Sequence, residues 1–303
     1  MKKTILALVV GAIVILVFIA VVGRQWNPAI KSNKISVVTT LFPLYDFAKY
    51  IGGEKADVSL LLPPGVEPHS FEPRPSDIEK INRADVFIYT GKFMEPWAED
   101  ILRGVENKDL IVVNASTGIT LTQSAGSMDP HIWLDFDNDK IIVGNISKAL
   151  ADADPENANY YKNNAGEDIK SLSAMDERFR KNLSRCKISE IIYGGHYAFG
   201  YLAKRYGLKY VAAQGVSPDS EPTAKDLINL VDQIKKNDIK YVFYEELSSP
   251  KIAETIANET SAQMLFLNAA HNVGKNNISN LVSFFTIMEG NLRNLLTGLE
   301  CKK

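Results

Sequence analysis

His69, His131, His196 and His271 are the four histidines of a 303-residue chain. Neutral imidazole is a borderline-soft nitrogen donor, and four of them suit a tetrahedral Zn²⁺ with bonds of about 2.0–2.1 Å. Mn²⁺ and Mg²⁺ ask for more carboxylate or water oxygen. Taken singly, each histidine says less. His69 lies in Gly65-Val66-Glu67-Pro68-His69-Ser70-Phe71-Glu72-Pro73, where prolines on both sides stiffen the loop and aim the ring. A lone histidine there also reads as an ordinary surface residue. His131 lies in Met128-Asp129-Pro130-His131-Ile132-Trp133-Leu134-Asp135, with Asp129 or Asp135 placed to orient the ring through its other nitrogen. His196 follows Gly194-Gly195, where glycines permit a close approach of backbone and ligand. His271, in Leu267-Asn268-Ala269-Ala270-His271-Asn272, carries no local signal of its own.

The elements that must position these rings follow from periodicity and punctuation. Ile35–Thr40 reads as a strand, Leu44–Ile51 as a helix stopped by Gly52-Gly53, and Ala56–Leu62 as a second strand broken by Pro63-Pro64-Gly65. A helix opens at Ser76; Val86–Thr90 and Leu110–Asn114 read as further strands. Residues 155–184 differ: a long charged segment opened by Pro155, which as one helix of about 28 residues would span about 40 Å. It reads as a strut between two lobes. Beyond it come strands at Glu190–Tyr193, Lys209–Val211, Tyr241–Tyr244 and Met264–Leu267. Helices are expected at Ala198–Arg205, Thr223–Lys236, Pro250–Thr260 and Ile278–Leu299. Strands alternating with helices predict an α/β chain with parallel sheets: a lobe over 35–154, a connecting helix over 155–184 and a second lobe over 185–303. All four histidines fall at strand-to-helix transitions, the loops that line the crevice of an open α/β sheet. Two come from each half, as a metal at the lobe interface requires. No short internal repeat is evident.

Composition narrows the function. With 34 basic and 36 acidic residues, a net charge of −2 and no long run of either sign, the chain lacks the basic face that a nucleic-acid partner wants. Met1-Lys2-Lys3 precedes an apolar stretch from Ile5 to Gly23, closed by Arg24; at roughly 20 residues it is long enough to cross a bilayer. The leading lysines favour export of the chain beyond this stretch. Residues 1–24 therefore read as an uncleaved membrane anchor or a removed signal segment, and 25–34 as a linker. Export makes a disulfide between Cys186 and Cys301 permissible, and pairing is expected over two free thiols.

The chain resembles the metal-specific solute-binding proteins of ABC transporters, the zinc/manganese receptor family. The stretches that carry the resemblance are Val38-Thr39-Thr40-Leu41-Phe42-Pro43-Leu44-Tyr45, Pro64 through Asp77, Asp129-Pro130-His131-Ile132-Trp133-Leu134 and Gly195-His196-Tyr197-Ala198-Phe199-Gly200-Tyr201. They run in order through residues 35–299. The resemblance implies two α/β lobes joined by a long rigid helix, with metal between them held at the positions of His69, His131 and His196. Many relatives place a carboxylate in the loop after the last strand; here that loop offers Asn268 and His271, and the resemblance points to His271, with water as the alternative. Glu245 and Glu246 match a family glutamate that is structural more often than ligating. Manganese-type relatives have a carboxylate where His196 stands, which favours zinc. The His-rich loop of many zinc-type relatives is missing, since Thr122–Ser127 is short and holds no histidine.

These readings predict an extracytoplasmic, monomeric receptor that captures Zn²⁺ and passes it to an ABC permease. The ATPase is expected on a separate chain, because no G-x-x-x-x-G-K-[ST] motif is present. Binding is expected to weaken as pH falls through about 6.5, as imidazoles protonate. The competing classes are a manganese receptor of the same type, a zinc metallohydrolase with Glu67 as base, and an adhesion module. Four histidine ligands would close the coordination sphere that a hydrolase must leave open, so no catalytic residue is assigned.

Overall fold

The computed structural model describes residues 34–124, 126–245, 250–274 and 282–302. The apolar N-terminal stretch and Glu246 lie outside them. Among the described residues no helix is long and apolar enough to cross a membrane.

Two parallel four-stranded sheets organise the chain. In the first, β1 (Ile35–Thr39), β2 (Ala56–Leu60), β3 (Val86–Tyr89) and β4 (Ile111–Asn114) lie in the order β2-β1-β3-β4. Register is set by pairs such as Val37 with both Val58 and Val86. β3 is buried along its whole length, as expected of a strand covered on both faces. Its cover is α1 (Phe42–Gly52) on one side and α2 (Pro75–Asn82) with α3 (Ala98–Gly104) on the other. Pro75 opens α2, and the Asp77 carboxylate accepts from the Arg74 backbone N–H at 2.9 Å, occupying a donor left free at the helix start.

The chain then forms a small hairpin, β5 (Gln123–Ser124) with β6 (Ser127–Met128), in place of a plain loop. Two long helices follow, α4 (Phe136–Ala153) and α5 (Ala158–Leu183), joined by a 3₁₀ turn at Pro155–Asn157. α5 is the expected strut; its 26 residues make it about 39 Å long. α4 is an addition to the expected elements. Its boundary signal is the Asp135 side chain accepting from Asp137 N at 2.8 Å, and in sequence that aspartate reads equally well as a partner for the His131 ring.

The second sheet contains β7 (Glu190–Tyr193), β8 (Lys209–Ala212), β9 (Tyr241–Tyr244) and β10 (Gln263–Phe266), in the order β10-β9-β7-β8. Counted from its own first strand, that is the strand order of the first sheet. The repeat is one of topology, with no short sequence repeat to announce it. Helices α6 (Gly200–Tyr206), α7 (Ala224–Lys236), α8 (Lys251–Thr260) and α9 (Phe284–Gly298) complete the lobe. Gly207, at φ +67°, ends α6 in the left-handed conformation. Ser283 caps α9 by accepting from Thr286 N at 3.2 Å, so this helix starts at Phe284, later than the expected Ile278.

One apolar core runs through both lobes and the paired long helices. Phe284 of α9 meets Phe47 of α1 at 5.1 Å, and Phe136 of α4 meets Phe179 of α5 at 5.3 Å, all four rings fully buried. Each contributes roughly 1.5–3 kcal/mol by leaving water, and together they resist a wide hinge motion between the sheets. The packing is tight where β7 ends. A Cβ on Gly194 would lie 2.5 Å from the Ala253 Cβ and 2.6 Å from its Cα. Gly194→Ala is therefore expected to destabilise the chain by about 1–3 kcal/mol through overpacking, measured by urea denaturation; an unchanged midpoint would show that α8 yields freely.

Candidate metal centre

All four histidines sit beyond the carboxyl ends of strands, between the sheets. The Nε2 atom of His131 is 3.2 Å from Nε2 of His69 and 3.2 Å from Nε2 of His196. Ligand atoms of these three residues lie within 4.8 Å of one another, the arrangement of a metal-holding group. A tetrahedral ion with bonds of 2.0–2.1 Å sets its ligand atoms about 3.3–3.4 Å apart, close to both distances. His131 and His196 are fully buried; His69 is half-buried.

A carboxylate lies beside the outer nitrogen of two of the rings. Asp129 Oδ1 accepts from the His131 backbone N–H at 3.0 Å and lies 2.8 Å from His131 Nδ1. Glu245 Oε2 lies 2.6 Å from His196 Nδ1. The Asp129 contact holds the His131 proton on Nδ1, so that its Nε2 presents a lone pair, whereas the close approach of Glu245 to His196 Nδ1 lacks hydrogen-bond geometry. That lone pair faces Nε2 of His69 and of His196, where it can accept from a ring N–H or bind a cation. Of the two aspartates expected to orient His131, Asp129 does so; Asp135 caps α4 instead. Glu245 Oε1 also accepts from the His196 backbone N–H at 3.4 Å. Gly195 makes room for it: a Cβ there would lie 2.7 Å from Glu245 Oε1. Of the close approaches that the glycine pair signalled, the one at Gly195 is thus to this carboxylate and the one at Gly194 is to Ala253.

His271 stands beside the trio, its ring centroid 5.7 Å from that of His196 and 6.4 Å from that of His69. It is buried, and its Nε2 faces Glu67 Oε2 at 3.7 Å. Glu67 Oε1 accepts from the His69 backbone N–H at 3.2 Å, so this carboxylate lies against both ligand loops. The two loops are also stitched directly. Asn272 Nδ2 donates to Pro63 O at 2.9 Å and Val66 O at 2.7 Å, and Gly65 N donates to Val273 O at 2.9 Å. Trp133 Nε1, two residues beyond His131, donates to Ala269 O at 2.8 Å. No local pattern signals these cross-lobe bonds, because their partners are up to 209 residues apart.

Burial, followed by the nearness of the other imidazoles, pushes His69 down to about 2. The same causes hold His131 well below the ordinary imidazole range. Burial pushes Glu67 up, but His271 and His69 outweigh it and hold the carboxyl at about 2. Burial raises Asp129 to about 7 against the pull of the His131 backbone N–H. The expectation that binding weakens through pH 6.5 is therefore corrected for two rings: His69 and His131 have no proton to release there. In the metal-free protein their ring resonances are expected to keep neutral shifts from pH 7 to 5, and a titration midpoint near 6.5 for either would refute this. Through these two rings the unfolded chain takes up protons below about 6.5 and metal-free stability is lost as pH drops, while Asp129, held at about 7, takes up its proton in the folded chain and contributes in the opposite sense.

The family described as "Zinc-uptake complex component A periplasmic" matches residues 37–298. The chain is 37% identical over 287 residues to the high-affinity zinc uptake system protein ZnuA of Bacillus subtilis, covering 90% of each. It is 34% identical over 319 residues to the zinc-binding protein AdcA of Streptococcus pyogenes, covering 97% of this chain and 61% of that one. The solved Zn(II)-bound ZnuA-like domain of Streptococcus pneumoniae AdcA superposes with a TM-score of 0.78 at 34% identity, over 88% of this chain and 99% of that one.

Proposed function

This chain belongs to the periplasmic zinc-uptake component A family, and from that premise we propose that His69, His131, His196 and His271 together capture one Zn²⁺ for import. The protein is a zinc-binding receptor of an ABC importer, and its family is one of solute-binding proteins. Its cargo is the ion itself, so the imidazoles act as a transient cage and not as a catalytic centre. The observation that carries the reading is the inward convergence of Nε2 atoms at 3.2 Å, with Asp129 holding His131 Nδ1 and Glu245 lying 2.6 Å from His196 Nδ1. All-nitrogen donors favour zinc over manganese.

The finer parts belong to the same proposal. The lobe ending near residue 154, the connecting helix over 155–184 and the lobe from 185 form one monomeric receptor on the outer side of the cytoplasmic membrane or in the periplasm. It is tethered or released according to the fate of residues 1–24. A membrane permease receives the ion, and a separate ATPase drives the import. Competition titration with chelators tests the metal assignment: one Zn²⁺ per chain, bound far more tightly than Mn²⁺, is expected. Preference for Mn²⁺, or binding by a variant without histidines as tight as that of the natural chain, would remove it.

A further inference from the structure

Helix α6 begins four residues after His196 and grips the segment that carries His131 from both ends. On one side, Tyr201 Oη donates to Asp129 O at 3.1 Å and accepts from Thr122 N at 3.0 Å. Asp129 is the residue that orients the His131 ring. On the other side, Arg205 Nη1 donates to Asp135 Oδ1 at 2.6 Å and Asp137 Oδ2 at 2.7 Å. Asp135 lies four residues beyond His131, past the 3₁₀ turn Ile132–Leu134. The same guanidinium is anchored to the strut, with Nε on Asp176 Oδ1 at 2.8 Å and Nη2 on Asp176 Oδ2 at 2.7 Å. Its side chain is 8% exposed. One planar group thus joins the second lobe, the first lobe and the connecting helix.

We propose that Arg205 and Tyr201 are positioning residues for zinc capture, fixing His131 and His196 as a preformed half-site across the lobe boundary. The inference rests on the reading that these two histidines are ligands. It differs from the support given by Asp129 and Glu245, which act on one ring each within its own lobe. α6 sets the distance between the two rings, through bonds to backbone and capping groups on either side of His131. A network confined to the surface would screen readily. This one is part-buried, with only Asp137 largely exposed, and is made by a rigid fork that lysine cannot reproduce.

The test compares Arg205→Gln, Arg205→Lys and Tyr201→Phe with Arg178→Gln. The last removes the exposed pair between α5 and Glu289 of α9, away from the ligand segments. Zinc affinity is read by chelator competition, ligand geometry by the visible spectrum of bound Co²⁺, and stability by thermal unfolding without metal. Arg205→Gln should weaken zinc about 10-fold or more, in the range found when groups that orient ligands are lost, and should shift the Co²⁺ bands. Arg205→Lys should not restore either property. Tyr201→Phe should move both in the same direction by less, and Arg178→Gln should leave both unchanged. Natural affinity and an unaltered Co²⁺ spectrum in a folded Arg205→Gln protein, whatever its melting temperature, would reduce Arg205 to a stabiliser of the fold. If Arg205→Gln does not fold, the same result in Tyr201→Phe overturns the proposal. Failure of the natural chain to bind zinc, or full binding after loss of His131, would instead sink the ligand assignment.

Discussion

His131→Ala is expected to lower zinc affinity by at least about 100-fold, more than the 10–100-fold typical when only a ligand's orienting partner is lost. His131 stands at the centre of the trio: its Nε2 is the atom common to both 3.2 Å contacts. It is fully buried, so a neighbouring side chain cannot easily swing in to replace it. A 100-fold loss corresponds to about 2.7 kcal/mol. His271→Ala offers the comparison. Its Nε2 faces Glu67 at 3.7 Å, so removal leaves a carboxylate beside the gap, and a smaller loss is expected. Equal losses would make His271 as indispensable to the cage as His131. Retained tight binding in His131→Ala, with chelator competition as the measure, would defeat the site itself. The mutation should also cost the metal-free protein about 1–3 kcal/mol, because the Asp129 carboxylate loses its ring partner while staying buried.

The second large effect concerns stability. Cys186 and Cys301 are bonded across a sequence separation of 115, the pairing expected of an exported chain. The bridge closes the second lobe, from just past the end of α5 to just past the end of α9. Constraining an unfolded loop of that size is worth about 4–5 kcal/mol on a chain-entropy account. The folded side changes little on reduction, because backbone bonds flank the bridge: Ile188 N to Leu299 O at 3.0 Å and Lys302 N to Arg185 O at 3.2 Å. The double variant Cys186→Ser, Cys301→Ser should therefore melt about 10 °C lower, with zinc affinity nearly unchanged. Equal melting temperatures would mean that the bridge adds nothing to the unfolded-state constraint. A joint loss of affinity would mean that it shapes the cleft.

The chemistry is more legible in the sequence than the architecture around it. Four scarce histidines at strand ends announce themselves by type, and Gly194-Gly195 by rarity of side chain. The helix α4 does not, since Phe136-Asp137-Asn138-Asp139 begins with residues that suit a turn equally well; packing against α5 decides the matter. Nor does the network of Arg205. Its carboxylates, Asp135, Asp137 and Asp176, lie 70, 68 and 29 residues away, and one arginine among 34 basic residues has no local mark. The late start of α9 turns on Ser283, a capping residue that apolar periodicity passes over. Local pattern reports what a segment prefers, whereas cross-lobe bonds depend on which segments meet.

The shared strand order of the two sheets has a consequence for biosynthesis. Each half supplies only two imidazoles, and neither half can surround an ion by itself. During synthesis from the N-terminus, His69 and His131 are made long before His196 and His271. The His69, His131 and His196 group therefore exists only when both sheets are in place, since its members come from both.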